Sequence, residues 1–461
     1  MNNNRKYELG HEKISKLLLK YSTPAMIGMI FNALYNLVDT IFIGRGAGTL
    51  AIAGLSISFP MQMLIMAIAQ TVGIGSASLI SRSLGAGDHR KAERVAGTSF
   101  TTVGVLSIIF TIFGMIFITP LLRLFGATDT ILPYSIDYLT IILIGSPFFS
   151  FTVSSNNVVR SEGNAKTAMF SMIIGTGLNI ILDPIFIFGF NLGIKGAAVA
   201  TVISQFCSFI YLIIYFLSGN SLLKIHRKDL VPDLKLLPEI FSIGISSFTR
   251  TIAGSLLAIV LNNSIAYYGT DLHIAIYGVI NRVLTFILMP LFGIVQGLQP
   301  IIGFNYGAKN MKRVKDALKL AIGVSTAMAT FSFILLMTFT GPILRLFNND
   351  PNLLQEGVPV LRIIIIFTPL IGFQIIGASL FQSIGKALPA LILSMSRQIL
   401  FLIPAILILP LYFKLSGIWY AFPLSDLLSI VVTAVWVIKE IRLLNQHVEK
   451  EQEIKKNQQL L

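Results

Sequence analysis

The chain is poor in cysteine, histidine and charge, and each shortage excludes something. Its 461 residues include one cysteine, Cys207, so neither an intrachain disulfide nor a thiolate metal centre can form. The five histidines (His11, His89, His226, His273 and His447) fall at span ends or in loops and make no His-Glu-x-x-His pattern. A hydrolytic metal site of that type is therefore excluded, and with it the membrane-embedded enzyme that would use one. Gly73 and Gly75 are preceded by no strand and followed by no suitably spaced lysine, so they pack helices and do not cradle a nucleotide. Charged residues are only 12% of the chain, against about 25% in soluble domains. The ten-residue alternation of a membrane barrel is also missing.

Apolar residues are abundant, at 54% with a mean hydropathy of +0.79. They form runs long enough to span a bilayer as helices. Twelve spans are expected: roughly 14–43, 51–81, 93–119, 133–159, 166–189, 195–218, 237–267, 273–303, 313–342, 356–383, 389–413 and 416–438. The first run is too long for a signal-peptide core and reads as a retained span. The fold class is an all-α membrane protein.

The net charge of +14 does not point to nucleic acid, because the basic residues sort by side. One set of connections carries Arg90, Lys91, Arg94, Lys224, Arg227, Lys228, Lys312, Arg313 and Lys315, as well as both basic termini. The opposite set has only Arg45, Arg123, Lys195, Arg345 and Lys414. Basic connections stay in the cytoplasm. Both termini and the 219–236 loop are therefore expected there, with the protein in the cytoplasmic (inner) membrane.

The chain is a repeat. Under a shift of 222, Gly75 falls on Gly297, Gly85-Ala86 on Gly307-Ala308, Pro120 on Pro342, Leu122-Arg-Leu-Phe125 on Leu344-Arg-Leu-Phe347, and Pro147 on Pro369. Two six-span lobes follow, 1–218 and 237–443, joined by a loop at 219–236 and ending in a polar tail at 444–461. Both lobes begin on the same side, so the repeat is parallel. Such repeats build transporters that bind substrate between the halves.

Asp39, Asn179, Asp183 and Thr201 lie at one depth, roughly 7–15 Å below the outer ends of their spans by helical rise. Asn179 and Asp183 are four apart, on one helix face. Pro184 should loosen the helix beside the acid. Two carboxylates, an amide and a hydroxyl are hard oxygen ligands suited to an alkali cation, and the carboxylates can instead hold protons as a coupled pair. At the shifted positions the second half has Leu261, Phe401, Ala405 and Phe422, so the polar set belongs to one lobe only.

In these features the sequence resembles the multidrug and toxic compound extrusion (MATE) transporters over essentially its whole length. The ordered set comprises Pro24 fifteen residues before Asp39, Leu84-Gly-Ala-Gly87 after span two, Gly307-Ala308 after span eight, and Asn179-x-x-x-Asp183 in span five. The resemblance implies a V-shaped pair of bundles that exports amphipathic, cationic compounds in exchange for H+ or Na+. It also implies a coupling site at Asp39, Asn179, Asp183 and Thr201 that can take Na+. Pro24 removes the helix bond to Lys20 and is expected to act as a hinge. A second-lobe acidic pair found in another branch has no counterpart here, since span seven has no acid after Glu239. The expected protein is a monomer in the bilayer that needs no cofactor beyond the coupling ion.

Other intramembrane residues have two readings each. Met61, Met66 and Met289 either form a pliable substrate cleft or simply fill the core. Arg250 and Arg282 either line the cleft or snorkel. Asp426 either meets a cationic substrate or pairs with Arg397. A flippase for lipid-linked sugars is the rival function; it would need a more basic central cavity for a diphosphate than Arg250, Arg282 and Arg397 offer. The lack of repeated pore-lining charges speaks against a passive channel.

Overall fold

The computed structural model describes the backbone of residues 2–459 and the side chains of residues 7–449, apart from 36 and 37. No strand occurs among the described residues. Eleven helices there are long and apolar enough to cross a membrane, and a bent pair supplies a twelfth crossing. In order, the spans are Ile14–Ala47, Thr49–Gly85, His89–Ile116, Leu132–Ser161, Ala165–Gly189, Gly193–Leu217, Leu237–Tyr268, Asp271–Gly307, Met311–Thr338, the pair Pro351–Ile364 and Thr368–Ile384, Ala387–Phe413, and Leu415–Glu449. Helices are the form in which an open chain satisfies its backbone hydrogen bonds inside lipid.

Proline chemistry accounts for most departures from the expected boundaries. Spans three and nine end at Ile116 and Thr338, four residues before Pro120 and Pro342, whose missing N–H groups would have bonded those two carbonyls. Short helices, Ile118–Leu124 and Thr340–Arg345, follow. Span ten bends by 48° between its two helices, with Pro369 in the first turn of the second. The last helix continues unbroken to Gln459, so the tail drawn at 444–461 is helical over 444–459, and its last two residues lie outside the described ones. A further helix, Asn2–His11, precedes span one.

The lobes share one core at one end and have separate cores at the other. A single apolar cluster joins Leu17, Leu79 and Ile80 of the first lobe to Ile240, Leu298 and Ile301 of the second. Further out, one cluster is built wholly from the second lobe and others wholly from the first. This is the V, closed at the end that carries the termini. Repeat-related glycines set the closure. A Cβ on Gly85 would lie 1.9 Å from the Phe304 carbonyl oxygen, and one on Gly307 would lie 2.0 Å from that of Arg82. A Cβ on Gly75 would lie 2.0 Å from the Ile240 carbonyl oxygen, and one on Gly297 2.4 Å from Ser22 Oγ and 2.6 Å from its backbone nitrogen. Polar contacts across the junction lie at the same end. Ser78 Oγ donates to the Gln382 carbonyl (2.5 Å), Arg82 and Lys91 reach Glu239 at 3.4 and 3.3 Å, and Asn305 and Arg313 bond the Leu9 carbonyl.

The connecting loop is strapped to the first lobe. Buried Glu162 accepts from Ser221 Oγ (2.7 Å) and from the Leu222 N–H (2.6 Å). Arg90 pairs with Asp229, Arg94 with Asp233, and Thr101 Oγ1 donates to the Leu230 carbonyl at 2.6 Å. Gly97 leaves room for the loop, since its Cβ would lie 2.2 Å from the Asp229 carbonyl oxygen.

Candidate functional site

Span five starts from an Asn164 cap, whose side chain accepts from the Thr167 N–H, and runs as α-helix to Pro184. It then loosens into a π-turn over Ile185–Gly189. The helical register stacks Asn179 one turn from Asp183, and Asn179 Nδ2 donates to Asp183 Oδ1 at 3.1 Å. The same amide donates to Thr201 Oγ1 on span six at 3.3 Å. From span one, Asp39 brings its carboxyl group within hydrogen-bonding reach of Asp183. All four side chains are buried, so the four residues expected at one depth do converge.

Donors and acceptors are out of balance there. The Asn179 amide spends its N–H groups on Asp183 and Thr201, which leaves its Oδ1 without a partner. Asp39 Oδ1 and Asp183 Oδ2 are also buried and unpaired. A buried acceptor left unsatisfied costs about 1–3 kcal/mol, and two facing carboxylates cannot both stay charged without a proton or cation between them. Three orphaned oxygens within one such set fit a proton or a hard alkali cation. Among the described residues no group of three or more His, Cys, Asp or Glu side chains is placed to hold a metal ion.

Three further residues complete the pocket. The hydroxyl of Tyr35, one turn before Asp39, reaches Thr201. Tyr138 on span four is buried with its hydroxyl at Gln62 of span two, beside both acids. The second lobe has no equivalent, because Leu261, Ala405 and Phe422 sit together in its apolar core.

The remaining candidates separate. Asp426 is buried and bonded to Arg397 Nε at 2.7 Å, which is the ion-pair reading; Arg397 stands on a π-helical stretch, Ser396–Leu402. Arg250 donates to Ser247 Oγ at 3.4 Å and lies over the Phe292 ring at 5.8 Å. Arg282 is exposed, and Met66 and Met289 are half-buried. Met61 is 1% exposed, packed with Ile65, Leu122 and Leu143, which is the core reading. Pro24 lies buried in an unbroken helix, between Ser22 and Met26, which abut Gly297 and Gly293 of span eight.

The chain as a whole is similar to known proteins. The family model described as MatE matches residues 24–185 and 247–407, one segment in each lobe. The multidrug export protein MepA of Staphylococcus aureus (strain MRSA252) is 28% identical over 426 residues, which cover 92% of this chain and 94% of that protein. Among solved structures, a ligand complex of the MATE multidrug transporter DinF-BH superposes with a TM-score of 0.88 at 44% identity, over 93% of this chain and 96% of that one. An outward-facing multidrug resistance MATE family transporter of the MOP superfamily gives 0.89 at 27% identity, over 95% and 98%.

Proposed function

This chain belongs to the MatE family of membrane transporters, and from that premise we propose that it is a multidrug exporter driven by inward flow of H+ or Na+. Its substrates are amphipathic, cationic compounds, and the coupling ion binds at Asp39, Asn179, Asp183 and Thr201. The observation that carries the reading is the set of three buried, unpaired oxygens where Asp39 meets Asp183. A neutral or apolar pocket would bind no ion, and a site already saturated with donors would gain nothing from one.

With the basic ends in the cytoplasm, the closed end of the V is the cytoplasmic gate and the open arms face outward. A ligand shifts a two-state protein only by its differential affinity for the states. Loading the first-lobe site from outside neutralises the facing carboxylates and favours release of a cationic drug. Emptying it restores a negative lobe that accepts one. Pro24 lies where span one abuts span eight, so a bend there separates the lobes. The protein works as a monomer, since both lobes and the cleft belong to one chain. Arg397 is neutralised by Asp426, which leaves the cleft short of the positive charge a lipid-diphosphate flippase needs.

The test is efflux of a fluorescent organic cation from vesicles under an imposed pH or Na+ gradient. One of the two gradients should drive export, and Asp183→Asn should abolish that drive while drug binding persists. Full ion-driven efflux by both Asp183→Asn and Asp39→Asn would place the coupling site elsewhere.

A further inference from the structure

At the closed end, the turns after spans two and eight repeat each other almost bond for bond. The Gly87 N–H donates to the Leu84 carbonyl (3.2 Å), and the Lys309 N–H to that of Tyr306 (3.0 Å). The following residues, Asp88 and Asn310, cap spans three and nine. Gly87 and Lys309 are equivalent under the 222 shift, and both have left-handed backbone, with φ of 79° and 59°. Glycine adopts that conformation freely, whereas lysine is strained in it. Strain of this kind points to a use for the side chain that bears it.

The Lys309 side chain lines a cavity of about 800 Å³ between the lobes. Arg82 and Lys91 of the first lobe border it, together with Tyr306 and His447 of the second. The two acids at its wall are already engaged. Glu239 is held by Arg82 and Lys91, and Asp88 accepts from the Lys91 N–H. Lys309 is exposed and forms no ion pair among the described residues. His447 donates from Nδ1 to the Leu443 carbonyl (2.7 Å).

We propose that this cavity binds a phosphate-bearing anion, either the headgroup of an anionic phospholipid or a soluble phosphate. Lys309 holds it from the second lobe and Arg82 from the first. Guanidinium offers a fork to phosphate oxygens, and lysine offers a point charge. Because both lobes contribute, the site is complete only while their ends are together. Occupancy therefore favours the closed end through differential affinity. The inference does not depend on which ion is coupled in the first lobe.

The experiment measures the closed fraction from the distance between spin labels at Lys228, in the loop strapped to the first lobe, and at Lys312 of the second lobe, both exposed. Three conditions are compared at equal ionic strength: phosphatidylcholine vesicles, the same with a minority of phosphatidylglycerol, and phosphatidylcholine with inorganic phosphate in place of chloride. Either phosphate source should raise the ratio of closed to open protein about five-fold or more. A response to the lipid alone assigns a headgroup site, and a response to inorganic phosphate assigns a soluble ligand. Lys309→Gly restores the residue of the first repeat and relieves the backbone strain, so it should fold at least as well; it should lose the response. Lys309→Arg should keep it. An unchanged ratio in every condition, or a Lys309→Gly protein that responds like the parent, overturns the proposal.

Discussion

Gly307→Ala isolates the closure of the lobes from the folding of either one. Its new Cβ would lie 2.0 Å from the Arg82 carbonyl oxygen, with the Arg82 carbonyl carbon and Cα at 2.8 and 2.9 Å. These are backbone atoms in the last turn of span two, so no side chain can swing aside. Ordinary contact begins at 3.4 Å, and the spans must part by about 1.4 Å to reach it. Overpacking of this order costs about 1–3 kcal/mol. The clash vanishes once the ends separate, so the whole cost falls on the closed state. The ratio of closed to open protein should drop by about 5- to 150-fold. Gly85→Ala, at 1.9 Å from the Phe304 oxygen, should do the same. The double mutant should add little, because one opening relieves both clashes. Gly323 has nothing within 4 Å of its Cβ position, so Gly323→Ala serves as the neutral control. The readout is the same interlobe distance, paired with expression and with efflux rate. A Gly307→Ala protein with the parent's closed fraction would refute the argument that these glycines set the gate.

Other expectations follow from the same geometry. Asp183→Asn and Asp39→Asn should each abolish gradient-driven efflux, and the double mutant should be little worse than either, because residues acting as one unit are not additive. Asp426→Ala strands Arg397 in the membrane and should destabilise by about 3–5 kcal/mol in a thermal melt, whereas Asp426→Leu with Arg397→Met should recover most of the loss. Pro24→Ala restores the helix bond to Lys20 and should slow turnover more than it weakens drug affinity; an unchanged turnover removes the hinge. At Asp229, burial pushes the carboxyl up, but hydrogen bonds from Arg90 and the His226 N–H outweigh it and hold the group below the usual carboxylate range. A carboxyl held low stabilises above its unfolded pKa of about 4 and loses that effect as pH falls through the lower folded value. Limited proteolysis of the loop should therefore be flat from neutral to mildly acidic pH and rise only in strong acid; Asp229→Asn should show the cut loop already at neutral pH.

Much of this was legible in the sequence, and the exceptions have physical causes. Apolar runs mark the spans because lipid demands them, and the 222 shift carries the two-lobe plan. Asn179 and Asp183 could be paired by helical spacing alone. Tyr35 stands one turn from Asp39 and was open to the same reasoning. Tyr138 and Gln62 were not, since a sequence gives depth along a span but not the rotation that turns an uncharged residue toward a pocket on other helices. Rotation also decides Met61, which faces span-four residues and not the cleft. The prolines show the limit of a local rule. Pro120 and Pro342 end their helices, and Pro369 lies just past the bend of span ten. Its repeat counterpart Pro147 sits within unbroken Leu132–Ser161. Tertiary packing decides which of them breaks a helix.

The strap across the first lobe sets a mechanical limit. From Ser221 to Asp233 the loop is pinned by Glu162, Arg90, Thr101 and Arg94. Span seven begins at Leu237, so only residues 234–236 are left as slack. Fully extended, the four steps from Asp233 to Leu237 reach about 14 Å. The start of span seven can travel no further than that from its anchorage without unpicking the loop, which makes this corner the pivot of the opening gate and its far side the place where the widest gap appears.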